Sequence, residues 1–187
     1  EMPSDHIYIR PESWDKPFEA PEHVCSSYDN CHVPWGSTHE KTWHLVKTLP
    51  HVSGLFVWTG FDYLGEPTPY WWPSRSSFFG IVDLAGFPKD VYYMYKSEWT
   101  DEPVLHIFPH WNWKEGERVD IWAYYNNADE VELYLNGKSL GVRQKTDSTY
   151  HVSWRVPFTP GTLRAVSRLG GKEVLVKEIH TAGEPAR

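Results

Sequence analysis

Aromatic side chains and carboxylates are interleaved in one short stretch of this chain, between Trp58 and Trp72. The aromatic members are Trp58, Phe61, Tyr63, Tyr70, Trp71 and Trp72, and the carboxylates are Asp62 and Glu66. A sugar ring offers apolar C–H faces that stack on aromatic rings, and hydroxyl groups that donate hydrogen bonds to carboxylates. The stretch therefore predicts a carbohydrate contact. Core packing is the alternative for Trp58, and holding neighbouring loops is the alternative for Asp62 and Glu66.

The segment before these residues predicts the element that would position them. Residues 52–58 form a short run rich in apolar β-formers, which favours a buried strand. After Gly60 the chain is punctuated by glycine and proline, which is typical of a loop. A buried strand that ends in such a loop is how a (β/α)₈ barrel builds the mouth of its active site.

Two helices are predicted on either side of this strand and loop. Ser37 and Glu40 fit a capping box, so the first helix is expected over residues 37–49, ended by Pro50. With the strand after it, this helix would form an αβ unit of a parallel sheet. Pro88 marks the start of a second helix over residues 89–98.

Residues 100–103 predict a linker, and the change in sequence pattern after them predicts a second domain. Alternating polar and apolar residues indicate short strands, and Asn136-Gly137 and Gly170-Gly171 are turn signals between them. The predicted strands cover residues 104–108, 118–125, 130–135, 150–156, 161–168 and 173–179. This spacing favours an antiparallel β-sandwich of immunoglobulin-like architecture. The predicted domains are therefore an α/β part over residues 1–102 and an all-β sandwich over residues 103–187.

Composition and charge exclude several classes of function. The chain has 187 residues, of which 16% are aromatic, and a formal net charge of −7 without a basic stripe, so a nucleic acid partner is not expected. No apolar run approaches the ~20 residues that span a bilayer. Cys25 and Cys31 allow either a disulfide or two free thiols. A zinc site would need three or four ligands at tighter spacing, so no metal or other cofactor is predicted.

Several motifs resemble glycoside hydrolase family 2, in particular the β-galactosidases of gut Bacteroides-type bacteria. One group of motifs is similar to the end of the catalytic barrel of these enzymes, and a second group is similar to the β-sandwich that follows it. The first group comprises residues 25–30, 57–63, 65–70 and 79–89, and the second comprises residues 108–113 and 126–133. The resemblance implies that the α/β part contains the last αβ and βα units of a TIM barrel.

The resemblance also implies an activity and where its chemistry lies. These enzymes are retaining exo-β-glycosidases that use two glutamates, with carboxyl groups about 5–5.5 Å apart. In the family both glutamates precede the Met2-Pro3-Ser4-Asp5 motif, so neither is expected in this chain. Glu1 is not a candidate nucleophile, because nothing places it at the end of a strand. The chain alone is therefore expected to be inactive.

By the same resemblance, Trp58 would form the floor or wall of the sugar subsite beside the scissile bond. Asp62, Glu66 and Trp111 complete the predicted substrate-binding residues, although packing at a domain interface is an alternative for Trp111. The implied partners are a carbohydrate substrate and the remainder of the barrel, with a homo-oligomer left open. The implied location is periplasmic or secreted.

Two other functions stay open at the level of sequence. The aromatic residues would also suit a carbohydrate-binding module without hydrolytic activity, and the sandwich could serve a purely structural role. The residues do not distinguish a galactoside from a glucuronide or a mannoside.

Overall fold

A computed structural model describes residues 26–30, 32, 36–67 and 72–184. The chain forms two compact units that divide between Tyr92 and Tyr93. Residues 93–102, predicted to lie in the first domain, belong to the same compact unit as the sandwich. Cys25 and Cys31 lie outside the described residues, so their predicted alternatives are untested.

Helix α1, His39–Thr48, begins later than predicted and is capped by a different residue. The N-cap is Thr38, and its side chain makes no capping hydrogen bond. Instead, the Asp29 carboxylate accepts hydrogen bonds from the backbone N–H groups of His39 (2.8 Å) and Glu40 (2.6 Å). The predicted capping box at Ser37 is therefore wrong, because a carboxylate ten residues earlier already occupies the free N–H groups of the first turn.

The predicted buried strand over residues 52–58 does not form. No regular secondary structure is assigned to these residues, and the side chains of Phe56 and Trp58 are exposed. Among the described residues, no backbone hydrogen bond joins residues 53–58 to a neighbouring strand. An apolar, β-branched sequence cannot make a strand by itself, because the backbone N–H and C=O groups need a paired chain.

The second unit contains a β-sandwich, which confirms the all-β prediction for this part of the chain. One sheet has the order β1-β2-β5 and the other has the order β4-β3-β6-β7, with every pair antiparallel. The strands are β1 Leu105–Phe108, β2 Arg118–Tyr125, β3 Glu130–Leu135, β4 Lys138–Arg143, β5 His151–Pro157, β6 Thr162–Leu169 and β7 Lys172–His180.

The two predicted turns set the register of their hairpins. Asn136 and Gly137 have φ angles of 50° and 80°, and they connect Leu135 directly to its cross-strand neighbour Lys138. Gly170 and Gly171 likewise have positive φ angles and join β6 to β7. Asparagine and glycine tolerate this left-handed backbone, which matches the twist of a two-residue hairpin.

The sandwich core lies between the two sheets and is built by alternate residues of each strand. In β5, for example, Val152, Trp154 and Val156 are buried, whereas Ser153 and Arg155 are not. The largest fully buried side chains of this core include Trp111, Tyr125, Ile121, Leu133 and Leu163. The period-two pattern in the sequence therefore corresponds to the packed face of each sheet.

The segment before the sandwich is fastened to it rather than being a loose linker. Helix α2, Asp90–Trp99, is followed by residues 100–104, which contact the loop between β2 and β3. The Asn126 side chain accepts a hydrogen bond from Val104 N–H and donates to the carbonyl groups of Thr100 and Glu102. None of the described helices has the length and apolar composition needed to cross a membrane.

Candidate carbohydrate-binding site

The loop after Trp58 is held by a neighbouring segment, residues 75–82. Residues 59–62 run parallel to residues 79–82, with hydrogen bonds from Thr59 N–H to Phe79 C=O (3.3 Å) and from Asp62 N–H to Val82 C=O (2.9 Å). Gly65 N–H then donates to Arg75 C=O at 2.8 Å, where the two segments run antiparallel. The loop backbone is therefore fixed on one side along its length.

Trp58, Tyr63 and Glu66 form a cluster on this loop. The Trp58 side chain is 73% exposed, and the Tyr63 ring stands nearly perpendicular to it, at 82°, with 6.3 Å between ring centroids. The Tyr63 hydroxyl donates a hydrogen bond to Oε2 of Glu66, which is exposed. An accessible indole and a carboxylate, both in contact with Tyr63, can offer a sugar ring a stacking face and a hydrogen-bond acceptor.

The electrostatics of this cluster keep Tyr63 protonated. The hydrogen bond to Glu66 raises the pKa of the Tyr63 hydroxyl above its ordinary value of 10.0, because the neighbouring negative charge disfavours a phenolate. The indole of Trp58 acts in the opposite direction on the same pKa and is a smaller influence. Tyr63 therefore remains a hydrogen-bond donor at neutral pH.

Asp62 is held by donors of its own chain. Its Oδ1 accepts a hydrogen bond from Gly80 N–H at 2.8 Å, and its Oδ2 forms an ion pair with Lys89 Nζ at 2.6 Å. The side chain is only 7% exposed. A Cβ at Gly80 would overlap the backbone of Phe61 and Asp62, so glycine is required for this close approach. Of the two roles considered for Asp62, this geometry favours holding the loops together.

Trp111 lies far from solvent, in the core of the sandwich. Its side chain is 1% exposed, its ring packs edge-on against Phe158, and its indole N–H donates to the carbonyl group of Thr159 at 3.1 Å. A ring enclosed in this way cannot stack on a sugar. The structure therefore assigns Trp111 to core packing, in place of the substrate contact that the resemblance suggested.

Of the four predicted site residues, the structure brings Trp58 and Glu66 together on one exposed surface through Tyr63. Trp72, also exposed, carries the Arg75 guanidinium 4.4 Å from its ring centroid, while Tyr70 and Trp71 lie outside the described residues. Two contributors were missing from the predicted site residues: Tyr63 and Lys89. In the sequence, Tyr63 is one of several aromatic residues of the loop, and nothing distinguishes it from the others. No local sequence signal pairs Lys89 with Asp62.

Comparison with known proteins shows which enzymes this chain is similar to. A family model described as "Domain of unknown function (DUF4982)" matches residues 116–175. The chain is 63% identical over 185 residues to a protein of Bacteroides ovatus named "Beta-galactosidase BoGH2A", covering 99% of this chain and 22% of that protein. A crystal structure of a β-glycosidase from Bacteroides vulgatus matches with a TM-score of 0.77 and 39% identity, over 86% of this chain and 20% of that one.

A member of glycosyl hydrolase family 2 from Bacteroides cellulosilyticus also matches, with a TM-score of 0.67 and 31% identity over 78% of this chain and 24% of that one. The chain is therefore similar to one part of a β-galactosidase and of a glycosyl hydrolase family 2 member. It spans about a fifth of the length of the proteins it matches. The match to these enzymes over almost the whole chain confirms the resemblance drawn from the sequence motifs.

Proposed function

We propose that this chain is the C-terminal portion of a retaining exo-β-glycosidase of the β-galactosidase type, and that it supplies one wall of the sugar pocket. The single observation that carries the proposal is the exposed cluster of Trp58, Tyr63 and Glu66 in a chain similar to these enzymes. Trp58 stacks on the apolar face of the sugar bound next to the scissile bond. Glu66 accepts a hydrogen bond from a sugar hydroxyl.

The catalytic glutamates lie in the remainder of the protein, and this chain contributes substrate binding alone. Residues 1–102 would be the last αβ and βα units of the catalytic barrel. The parallel pairing of residues 59–62 with 79–82 supports this assignment, because parallel neighbours are the rule in such a barrel. The pocket would be complete when the rest of the barrel adds its strands and its carboxylate pair.

The sandwich, over residues 103–187, would be an accessory domain of immunoglobulin-like type. Its sheet orders, β1-β2-β5 and β4-β3-β6-β7, support that assignment. In an immunoglobulin domain the chain likewise crosses between two antiparallel sheets. We propose a periplasmic or secreted location on the resemblance alone.

The alternative of a carbohydrate-binding module in the sandwich is less well supported. Of its four tryptophans, Trp111, Trp122 and Trp154 are buried, and Trp113 is packed against the core. A sugar-binding module needs exposed aromatic faces, and the exposed ones in the described chain are concentrated before residue 100. The sandwich therefore suits packing better than ligand binding.

The experiment is steady-state hydrolysis of chromogenic β-galactoside, β-glucuronide and β-mannoside by the full-length protein, with and without Trp58→Ala. We expect a preference for the galactoside, and a decrease of about tenfold or more in kcat/KM for Trp58→Ala, because the variant loses the stacking surface. Trp58→Phe, which keeps an aromatic face, is the matched control and should retain most activity. No loss in Trp58→Ala would show that the indole does not contact the substrate.

A further inference from the structure

The backbone of Tyr63 is held more firmly, by hydrogen bonds to a neighbouring segment, than are Trp58 and Glu66, the two residues that its side chain contacts. Its backbone N–H donates to Oγ of Ser77 at 3.1 Å, and its carbonyl oxygen accepts hydrogen bonds from Ser77 N–H (2.9 Å) and Ser76 Oγ (3.3 Å). Ser77 is itself buried, at 2% exposure. The base of the Tyr63 side chain is therefore anchored at a point that solvent does not reach.

The turn that follows brings Glu66 back towards Tyr63. Gly65 and Glu66 have φ angles of 104° and 43°, so the chain reverses there, and the hydrogen bond from Gly65 N–H to Arg75 C=O fixes the reversal. Glu66 Oε2 accepts a hydrogen bond from the Tyr63 hydroxyl. Its Oε1 has no hydrogen-bond partner among the described residues, so one oxygen of the carboxylate is available to a ligand.

Without this contact the Glu66 carboxylate would be a surface group free to sample several rotamers. Ordering such a side chain during binding costs conformational entropy, whereas a side chain that is already held loses less. The hydrogen bond to Glu66 raises the pKa of the Tyr63 hydroxyl, so the phenol remains a donor at neutral pH. The same ring stands edge-on to Trp58 and limits how that indole can tilt.

We propose that Tyr63 is a positioning residue that holds the Glu66 carboxylate and the Trp58 ring as one preformed surface for a sugar. Tyr63 acts through Glu66 and does not itself contact the reacting atoms. This inference rests on the proposed function, since it concerns the same sugar-binding wall. It adds a residue to that wall and a physical role for it: preorganisation of a hydrogen-bond acceptor.

The test is a double-mutant cycle in the full-length enzyme with Tyr63→Phe, Glu66→Ala and the double variant, measured as kcat and KM on the galactoside. Tyr63→Phe keeps the ring beside Trp58 and removes only the hydroxyl. We expect a three- to tenfold increase in KM with kcat changed less than twofold, and no further increase when Tyr63→Phe is added to Glu66→Ala.

Tyr134→Phe is the matched control, because Tyr134 also donates its hydroxyl to a glutamate, Glu132, but within the sandwich. It should leave KM unchanged. An unchanged KM in Tyr63→Phe, or an equal effect of Tyr63→Phe with and without Glu66, would overturn the positioning role. If Trp58→Ala and Glu66→Ala raise KM while Tyr63→Phe does not, only this inference fails. If the full-length enzyme hydrolyses no β-glycoside, the proposed function itself fails.

Discussion

At the scale of single residues, the two carboxylates of the aromatic loop have different surroundings although they lie four positions apart in sequence. Glu66 is exposed, with one oxygen available, whereas both oxygens of Asp62 are engaged by Gly80 and Lys89. Residue type alone could not separate these roles, because a carboxylate suits either a sugar hydroxyl or an ammonium group. Burial and the identity of the nearest donors separate them.

Replacing Asp62 should therefore affect stability before it affects catalysis. Asp62→Asn removes the ion pair with Lys89, whose side chain is 30% exposed, and leaves that ammonium group without its carboxylate. We expect a loss of about 2 kcal/mol, the usual size for a hydrogen bond to a charged group, measured as a lower denaturant midpoint. Asp147→Asn, which changes an exposed carboxylate, is the control. An unchanged midpoint in Asp62→Asn would contradict the loop-holding role.

At the scale of elements, helix α1 owes its start to a residue outside the helix. Asp29 accepts hydrogen bonds from two N–H groups of the first turn, and burial raises its pKa, while burial lowers the pKa of the neighbouring His39. The segment 26–30 is thereby attached to the N-terminus of the helix. The cap thus links two stretches that the local sequence pattern treats separately.

Asp29→Ala should destabilise this attachment. The variant loses both hydrogen bonds and the favourable interaction of a negative charge with the helix N-terminus, a cost of about 1–2 kcal/mol. Hydrogen exchange of the His39 and Glu40 amides should accelerate, because both lose their acceptor. Ser37→Ala is the control and should leave these amides unaffected, since the structure gives no capping role to residue 37. Faster exchange in Ser37→Ala alone would restore the capping box.

The outer face of β3 offers a prediction on pH. Hydrogen bonds from the hydroxyl groups of Ser139 and Tyr134, with a further contribution from Arg168, hold the pKa of Glu132 below its ordinary value of 4.5. Because the folded-state pKa is lowered, this carboxylate stabilises the fold above pH 4.5. The contribution is lost as pH falls from there through the folded-state pKa.

The measurement is the denaturant midpoint from pH 7 down to pH 3 for the wild-type chain and for Glu132→Gln. The difference between the two midpoints should shrink below pH 4.5. Protonation of Glu132 removes from the wild type the negative charge that the Glu132→Gln variant lacks at every pH. Glu115→Gln, at an exposed position, should run parallel to the wild type. A constant difference for Glu132→Gln across the range would show that its charge does not support the sandwich.

Features that depend on residues close together in sequence could be predicted, whereas features that depend on residues far apart in sequence could not. The hairpins at Asn136-Gly137 and Gly170-Gly171 and the alternating strands of the sandwich follow from local rules of turn chemistry and pleat. The start of α1 and the conformation of residues 52–58 depend on chain segments distant in sequence. Trp111 illustrates the same limit, because spacing does not reveal that its ring is enclosed.

At the scale of the whole molecule, the two units differ in how completely they are built. The sandwich has a closed core between two sheets. The other unit leaves several large apolar side chains exposed, among them Phe56, Trp58, Phe61, Leu64 and Phe87. Since the chain spans about a fifth of the length of the relatives it matches, the proposed function predicts that the rest of the protein covers part of this surface and supplies the catalytic carboxylates.

The most direct test of the account is the hydrolysis rate of a chromogenic β-galactoside measured for this purified chain and for the full-length protein. Intact mass, expected at 21.8 kDa, verifies that the chain is free of the larger protein. We predict turnover by the full-length protein and none above the buffer rate by the 187-residue chain. Turnover by the pure chain would contradict the account, because it would require a pair of catalytic carboxylates within these residues.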